Sequence, residues 1–241
     1  MFKRRRPVQD SVETPPGLEP GMADRPQDEP ASDRSTVGPF DVADVEGRQG
    51  RLDLGALWIP GVEGMELRLE LEPDTQRVIG AMVVLGEAIA QLQAYAAPRS
   101  VGLWPEIRSE LTTAIVSGGG TAQEQTGPWG GELSARMAGA AANGQVAFTP
   151  LRFIGIDGPR WFLRVVLSGT AATDEQEAER LLAVIRQTVV VRGPSPMAPR
   201  EVLPLTLPEA AVSEPDSPAA AERDTAPLDP ITRGPEITQI N

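Results

Sequence analysis

The stretch Ile154–Leu167, IGIDGPRWFLRVVL, sets two apolar runs on either side of Asp157, Gly158, Pro159 and Arg160. Phe153, Ile154 and Ile156 read as one strand and Trp161 to Leu167 as the next. In the second run Trp161, Leu163, Val165 and Leu167 share one face, while Phe162 and Val166 join Arg164 on the other. Asp157-Gly158 falls where a tight hairpin needs positive φ angles, which Asp tolerates and Gly adopts freely. Pro159 has no N–H to give a ladder, so it belongs at a strand start or an edge. The stretch therefore reads as an antiparallel hairpin, and the competing reading is a binding role for Arg160 or Arg164.

Strand patterns extend in both directions. Met65, Leu67, Leu69 and Leu71 alternate with Glu66, Arg68, Glu70 and Glu72, the period of a half-buried strand. Leu52 to Ile59 reads as a strand ended by Pro60-Gly61, and Val78 to Leu85 as a strand buried on both faces. Ala88 to Ala96, AIAQLQAYA, fits helix by its Ala, Leu and Gln content. It fits strand by the alternation of Ile89, Gln91, Gln93 and Tyr95 with smaller residues, and strand is chosen. Ala122 to Gln125 and Leu133 to Met137 form a second hairpin around Gly127-Pro128-Trp129-Gly130-Gly131, followed by a mobile loop over Ala138 to Gln145.

Two helices interrupt these strands. Trp104-Pro105 opens the first, with proline at the first helical position, and Gly118 to Gly120 ends it. Its apolar face is Ile107, Leu111, Ala114 and Ile115. Thr173 and Gln176 form a capping box ahead of the second, which carries Ala178, Leu181, Leu182 and Ile185 on one face. A β-branched strand, Thr188 to Arg192, follows. Residues 194–208, PSPMAPREVLPLTLP, either pack extended on the domain or serve as a recognition peptide. Strands in runs, without βαβ alternation, give an α+β class: a single antiparallel β-sheet packed with two main helices over residues 37–208.

The flanks differ in composition. Residues 1–36 and 209–241 are rich in proline and small polar residues and are expected to be disordered arms. The 241-residue chain has a net charge of −12. Residues 1–36 hold six Lys/Arg against seven Asp/Glu, residues 209–241 two against seven, and the middle fourteen against twenty. Without a basic folded part, broad nucleic-acid binding is disfavoured. The exception is Lys3-Arg4-Arg5-Arg6, which either touches anionic lipid or nucleic acid weakly or is a solubilising end. No apolar run follows these arginines and no stretch is long enough to cross a membrane, so the expectation is a soluble cytoplasmic protein.

The chain has no His and no Cys. Zinc sites of the His/Cys type, Ser-His-Asp and Cys-His machinery, imidazole bases and disulfides are excluded. Glu66, Glu70 and Glu72 read as a solvated strand face rather than paired catalytic acids. Asp174, Glu175, Glu177 and Glu179 crowd the start of a helix, where capping accounts for them better than a metal. No cofactor is expected. Arg99 stands ahead of the Trp104-Pro105 helix start and could hold an anion there with Arg160 and Arg164, the alternative being ordinary surface pairing. The tryptophans at positions 58, 104, 129 and 161 read as core or hairpin anchors, with Trp129 poorly placed for burial.

Three stretches, YAAPRSVGLW (Tyr95 to Trp104), GIDGPRWFLR (Gly155 to Arg164) and VVVRGPSPMAPREVLPLTLP (Val189 to Pro208), together resemble an actinobacterial family, domain of unknown function 3710 (DUF3710). The resemblance covers residues 37–208 and implies neither an activity nor catalytic residues. The order of elements is also similar to the Mog1/PsbP-like fold, which implies a binding or assembly role. The expected function is a non-enzymatic protein-interaction module, with Arg99, Trp104, Trp129, Asp157, Arg160 and Arg164 as candidate binding residues. The alternatives are a sensor of a small anionic ligand and, further off, a carboxylate and metal hydrolase.

Overall fold

The computed structural model describes residues 37–140 and 145–207. The expected disordered arms, Lys3 to Arg6 among them, and residues 141–144 of the expected loop lie outside the described residues. In chain order the elements are β1 (Phe40–Asp41), β2 (Leu52–Asp53), β3 (Leu57–Ile59), β4 (Met65–Leu71), β5 (Val78–Leu85) and β6 (Ala88–Ala96). Helix α1 (Trp104–Ser117) precedes β7 (Thr121–Gly127), β8 (Gly130–Ala140), β9 (Val146–Gly158) and β10 (Trp161–Gly169), and α2 (Glu175–Gln187) and β11 (Val189–Val190) complete the set.

The main sheet has seven strands in the order β4-β5-β6-β10-β9-β8-β7, every neighbouring pair antiparallel. The α+β class and the strand choice for Ala88–Ala96 are what the sequence led us to expect. Beside it lies a small sheet, β1-β11-β3-β2, in which β1 and β11 run parallel. The expected strand Leu52–Ile59 is thus a hairpin belonging to this second sheet, bent at Gly55, whose N–H is taken by the Asp53 carboxylate at 2.7 Å.

Strand alternation divides the main sheet into two faces. On the first, Leu163, Val165 and Leu167 of β10 stand opposite Ala94, Leu92 and Ala90 of β6, so large and small side chains interlock under α2. That helix buries Leu181, Leu182 and Ile185 here, each stabilising by roughly 2 kcal/mol relative to exposure. Asp174, not Thr173, is its cap: the Asp174 carboxylate accepts from the N–H groups of Gln176 and Glu177. An aspartate reaches these donors from the extended backbone one residue nearer the helix.

The C-terminal segment is part of this core. Leu203 N–H donates to Ala94 and Leu205 N–H to Val78, each at 2.8 Å, and both leucine side chains are buried. The packed alternative for residues 194–207 therefore holds. On the second face α1 covers β7, β8 and β9, closing a smaller core of Leu133, Phe153, Phe162, Trp104 and Ile115. It leaves Met82, Ile89 and Gln91 half-exposed beyond it. Strand β8 continues to Ala140, so Ala138 to Ala140, expected in a loop, instead pair with Val146 to Phe148.

Candidate functional site: a groove beside helix α1

The first two motifs meet where α1 is seated on the sheet. Asp157 lies in β9, and its carboxylate accepts from the N–H of Leu103 at 2.6 Å and of Trp104 at 3.2 Å. Leu103, the N-cap residue, has no side-chain cap of its own. A carboxylate from a neighbouring strand thus satisfies two of the free donors of the helix start and faces the positive end of its dipole. A Cβ on Gly102 would sit 2.5 Å from that carboxylate, and one on Gly155 would sit 2.1 Å from the Trp104 ring. The glycines are there for close approach. Asp157→Ala is expected to cost about 2 kcal/mol, the upper end for a cap, read by urea denaturation; Asp157→Asn should recover part of it.

The hairpin turn sits two residues later than the sequence reading placed it. Asp157 pairs with Phe162 and Gly158 with Trp161, leaving Pro159 and Arg160 as the loop. Positive φ falls on Arg160, at 63°, giving the φ order of a type II turn. Gly158 is required for a different reason: a Cβ there would meet the Trp161 ring at 2.1 Å. A non-glycine residue in the left-handed region is strained. Arg160→Gly should therefore stabilise the protein by about 0.5 kcal/mol, after the entropy lost on adding a glycine, and a drop in the urea midpoint would contradict the assignment.

The expected convergence of Arg99, Arg160 and Arg164 does not occur. Arg99 is exposed on the loop before α1, at whose start Asp157 already takes the N–H groups of Leu103 and Trp104. Arg160 reaches the Gly193 carbonyl at 3.5 Å. Arg164 points from the middle of β10 onto the second face, three residues into the strand. Trp104 is buried, stacked on Phe162 with ring centroids 6.2 Å apart. Trp129 is half-buried rather than exposed: its indole N–H donates to the Gly38 carbonyl at 2.7 Å, with the Arg186 guanidinium 5.8 Å from its ring.

Arg164 does line a cavity of about 300 Å³, together with Tyr95 and Phe162 of the sheet, Ile107 and Leu111 of α1, and Arg200. The groove forms because the apolar face of α1 is only partly covered. Ile115 is buried, but Ile107 and Leu111 are half-buried and Ala114 is exposed. One rim is fixed by Arg200, which pairs with Glu106 at 2.8 Å and Glu110 at 3.1 Å and so ties the C-terminal segment to the helix. These exposed pairs position more than they stabilise.

The floor is polar at one end. Gln91 and Gln93 donate to the Glu70 carboxylate at 2.6 and 3.0 Å, which turns Glu70 from the expected solvated ladder into the edge of a network. The Gln93 carbonyl accepts from the Tyr95 hydroxyl and from Arg164. Burial pushes the Tyr95 phenol above its usual range, against the opposing pull of the Arg164 charge. The Arg164 guanidinium lies 5.7 Å from the Tyr95 ring centroid, its Nε is buried without a hydrogen-bond partner, and no carboxylate of the described residues stands within 4 Å of it. A cation at the polar end of an otherwise apolar groove, bonded to the neutral Gln93 amide and beside the Tyr95 ring, is the chemical feature of the groove.

On the opposite face a buried ion pair joins β8 and β9, and the exposed Glu175 ties it to the start of α2. Arg152 donates to Glu132 at 2.6 Å and to Glu175 at 3.1 Å. Burial pushes the Glu132 carboxyl up, outweighing Arg152 and Gln125, which favour its ionised form. Burial also works against the Arg152 cation, but Glu132 and Glu175 more than compensate and hold its pKa above the ordinary value. The charged form of Glu132 is the disfavoured one, since the residue is 1% exposed and its Oε1 makes no hydrogen bond. Among the described residues no group of three or more Asp or Glu is placed to hold a metal ion, and no helix is long and apolar enough to cross a membrane.

Of the groove residues, the sequence named only Arg164 as a candidate binding residue. Gln91, Gln93 and Tyr95 carried a usable signal, three polar side chains at period two on a strand whose other face is alanine and leucine. Arg200 carried none, because its place depends on how residues 194–207 cross the sheet. No curated protein and no solved structure matches the chain, so the Mog1/PsbP-like likeness carries no argument here. The three motifs prove to be neighbours in space, supplying the helix seat, the turn and the strap over β6, and they mark a family: the chain belongs to the one described as Protein of unknown function (DUF3710), whose model matches residues 38–214.

Proposed function

We propose that the protein is a non-catalytic binding module, acting in the cytoplasm, whose groove beside α1 takes an apolar segment of a protein partner that carries a carboxylate. The Arg164 guanidinium carries this reading. A cation beside apolar surface with only neutral partners bears part of its desolvation cost uncompensated, and an acidic group brought from outside would offset it. The apolar faces of Ile107, Leu111 and Phe162 supply the rest of the contact. The lack of His and Cys throughout the chain agrees with a role in binding rather than catalysis. A free small carboxylate is the second reading, favoured by a cavity volume at the lower end of that of small-molecule sites.

The chemistry is tested with hexanoate as a probe. Added to the full chain, hexanoate should shift the methyl signals of Ile107 and Leu111 with a dissociation constant in the millimolar range. Hexylamine should not, and Arg164→Gln should weaken the hexanoate effect about tenfold. Equal shifts from hexylamine, or shifts that survive Arg164→Gln, would remove the reading.

A further inference from the structure

We infer that the resting occupant of the groove is the chain's own C-terminal stretch, residues 228–240, LDPITRGPEITQI. The inference rests on the binding reading above and adds to it a partner already present in the chain. The groove asks for aliphatic side chains beside a carboxylate, and residues 208–241 contain that combination at one place. Asp229 stands between Leu228 and Ile231, and Glu236 precedes Ile237 and Ile240. Between Pro208 and Pro227 the chain has alanine, proline, serine, threonine and charged residues, with Val212 its one large aliphatic.

Charge points the same way. Residues 208–241 hold two arginines against seven acids, while the groove presents Arg164 without a paired carboxylate. Reach is sufficient: the described chain passes the groove rim at Arg200, runs on through Leu205 beside Val78, and ends at Leu207. Twenty residues, the number from Pro208 to Pro227, can bridge at most about 65 Å. A segment tethered over such a distance acts at an effective concentration in the millimolar range. That suffices to occupy a shallow groove and still give way to a partner with the same chemistry and more contacts. The C-terminal stretch would then set a threshold for partner binding without altering the fold.

The chain has no cysteine, so Thr232→Cys offers a single site for a spin label on the full-length protein. The label should attenuate the methyl signals of Ile107 and Leu111 at least twofold while leaving Val62 and Val146, exposed elsewhere, near full intensity. Ile237→Asp with Ile231→Asp in the labelled chain should restore the groove signals, and saturating hexanoate should restore them in the unaltered labelled chain. Groove signals that stay at full intensity, or attenuation spread evenly over the surface, would overturn the inference. If the label leaves the groove untouched while hexanoate still moves Ile107 and Leu111, the C-terminal occupant fails and the binding reading stands. If hexanoate moves neither, both fall.

Discussion

Gly155→Val is expected to destabilise the protein by at least about 3 kcal/mol, a large share of the 5–15 kcal/mol typical of a folded domain. The Cβ of any residue at position 155 would fall 2.1 Å from Trp104 Cδ2 and 2.3 Å from Cε3. The ring has nowhere to retreat, because Phe162 stacks on it and its indole N–H donates to the Gly131 carbonyl. Relief requires lifting the first turn of α1, which breaks the Asp157 contacts as well. Gly155→Ala should show the same effect in smaller measure. In a double-mutant cycle, Trp104→Leu should cost less in the Gly155→Ala background than alone, because the smaller side chain removes the clash. Additive losses measured by urea denaturation would mean that ring and glycine are not opposed.

Arg152→Met should cost about 3 kcal/mol near pH 8 and clearly less near pH 5. Removing one partner of a buried pair leaves the other charge uncompensated, and the one left behind is Glu132, 1% exposed. The direction with pH follows from the Glu132 carboxyl, which burial already pushes above 4.5. A carboxyl raised in the folded state binds a proton on folding. Its stabilising contribution is whole below the unfolded value and is lost as pH rises through the folded one. Without Arg152 the folded value rises further, so the loss extends to higher pH and the gap between variant and parent widens from about pH 5 upward. Glu132→Gln added to Arg152→Met should flatten that pH dependence and regain part of the stability. A gap that narrows with rising pH would contradict the assignment.

Particular residues show how far the sequence reaches. The alternation of Met65 to Leu71 and of Ile89 to Tyr95 was enough to place two strands, since a strand's side chains report their face locally. Glycine was read less well. Gly158 was taken as the turn residue on the ground of φ, whereas it is needed for the approach of the Trp161 ring, and the positive φ falls on Arg160. A glycine signals both needs alike, and only the packed ring separates them. Asp157 was noticed, but its partners, the N–H groups of Leu103 and Trp104, lie more than fifty residues earlier, so no local spacing reveals the cap. Glu132 alternates along β8 with Leu133 and Ala135, on the face away from α1. It is buried because the start of α2 and Arg152 cover that side, a consequence of tertiary placement. The groove was the least legible feature, since it exists only where α1 stops covering the sheet.

The most direct test of the groove as the binding surface is paired photo-crosslinking in the cells that make the protein. A photoreactive residue is placed at Ala114, exposed on the groove rim, or at Ala183, exposed on the outer side of α2. The account predicts a discrete protein adduct from position 114, reduced at least fivefold by Arg164→Gln, and none of that mass from position 183. An adduct from position 183 in equal or greater yield, or one from position 114 indifferent to Arg164→Gln, would contradict it.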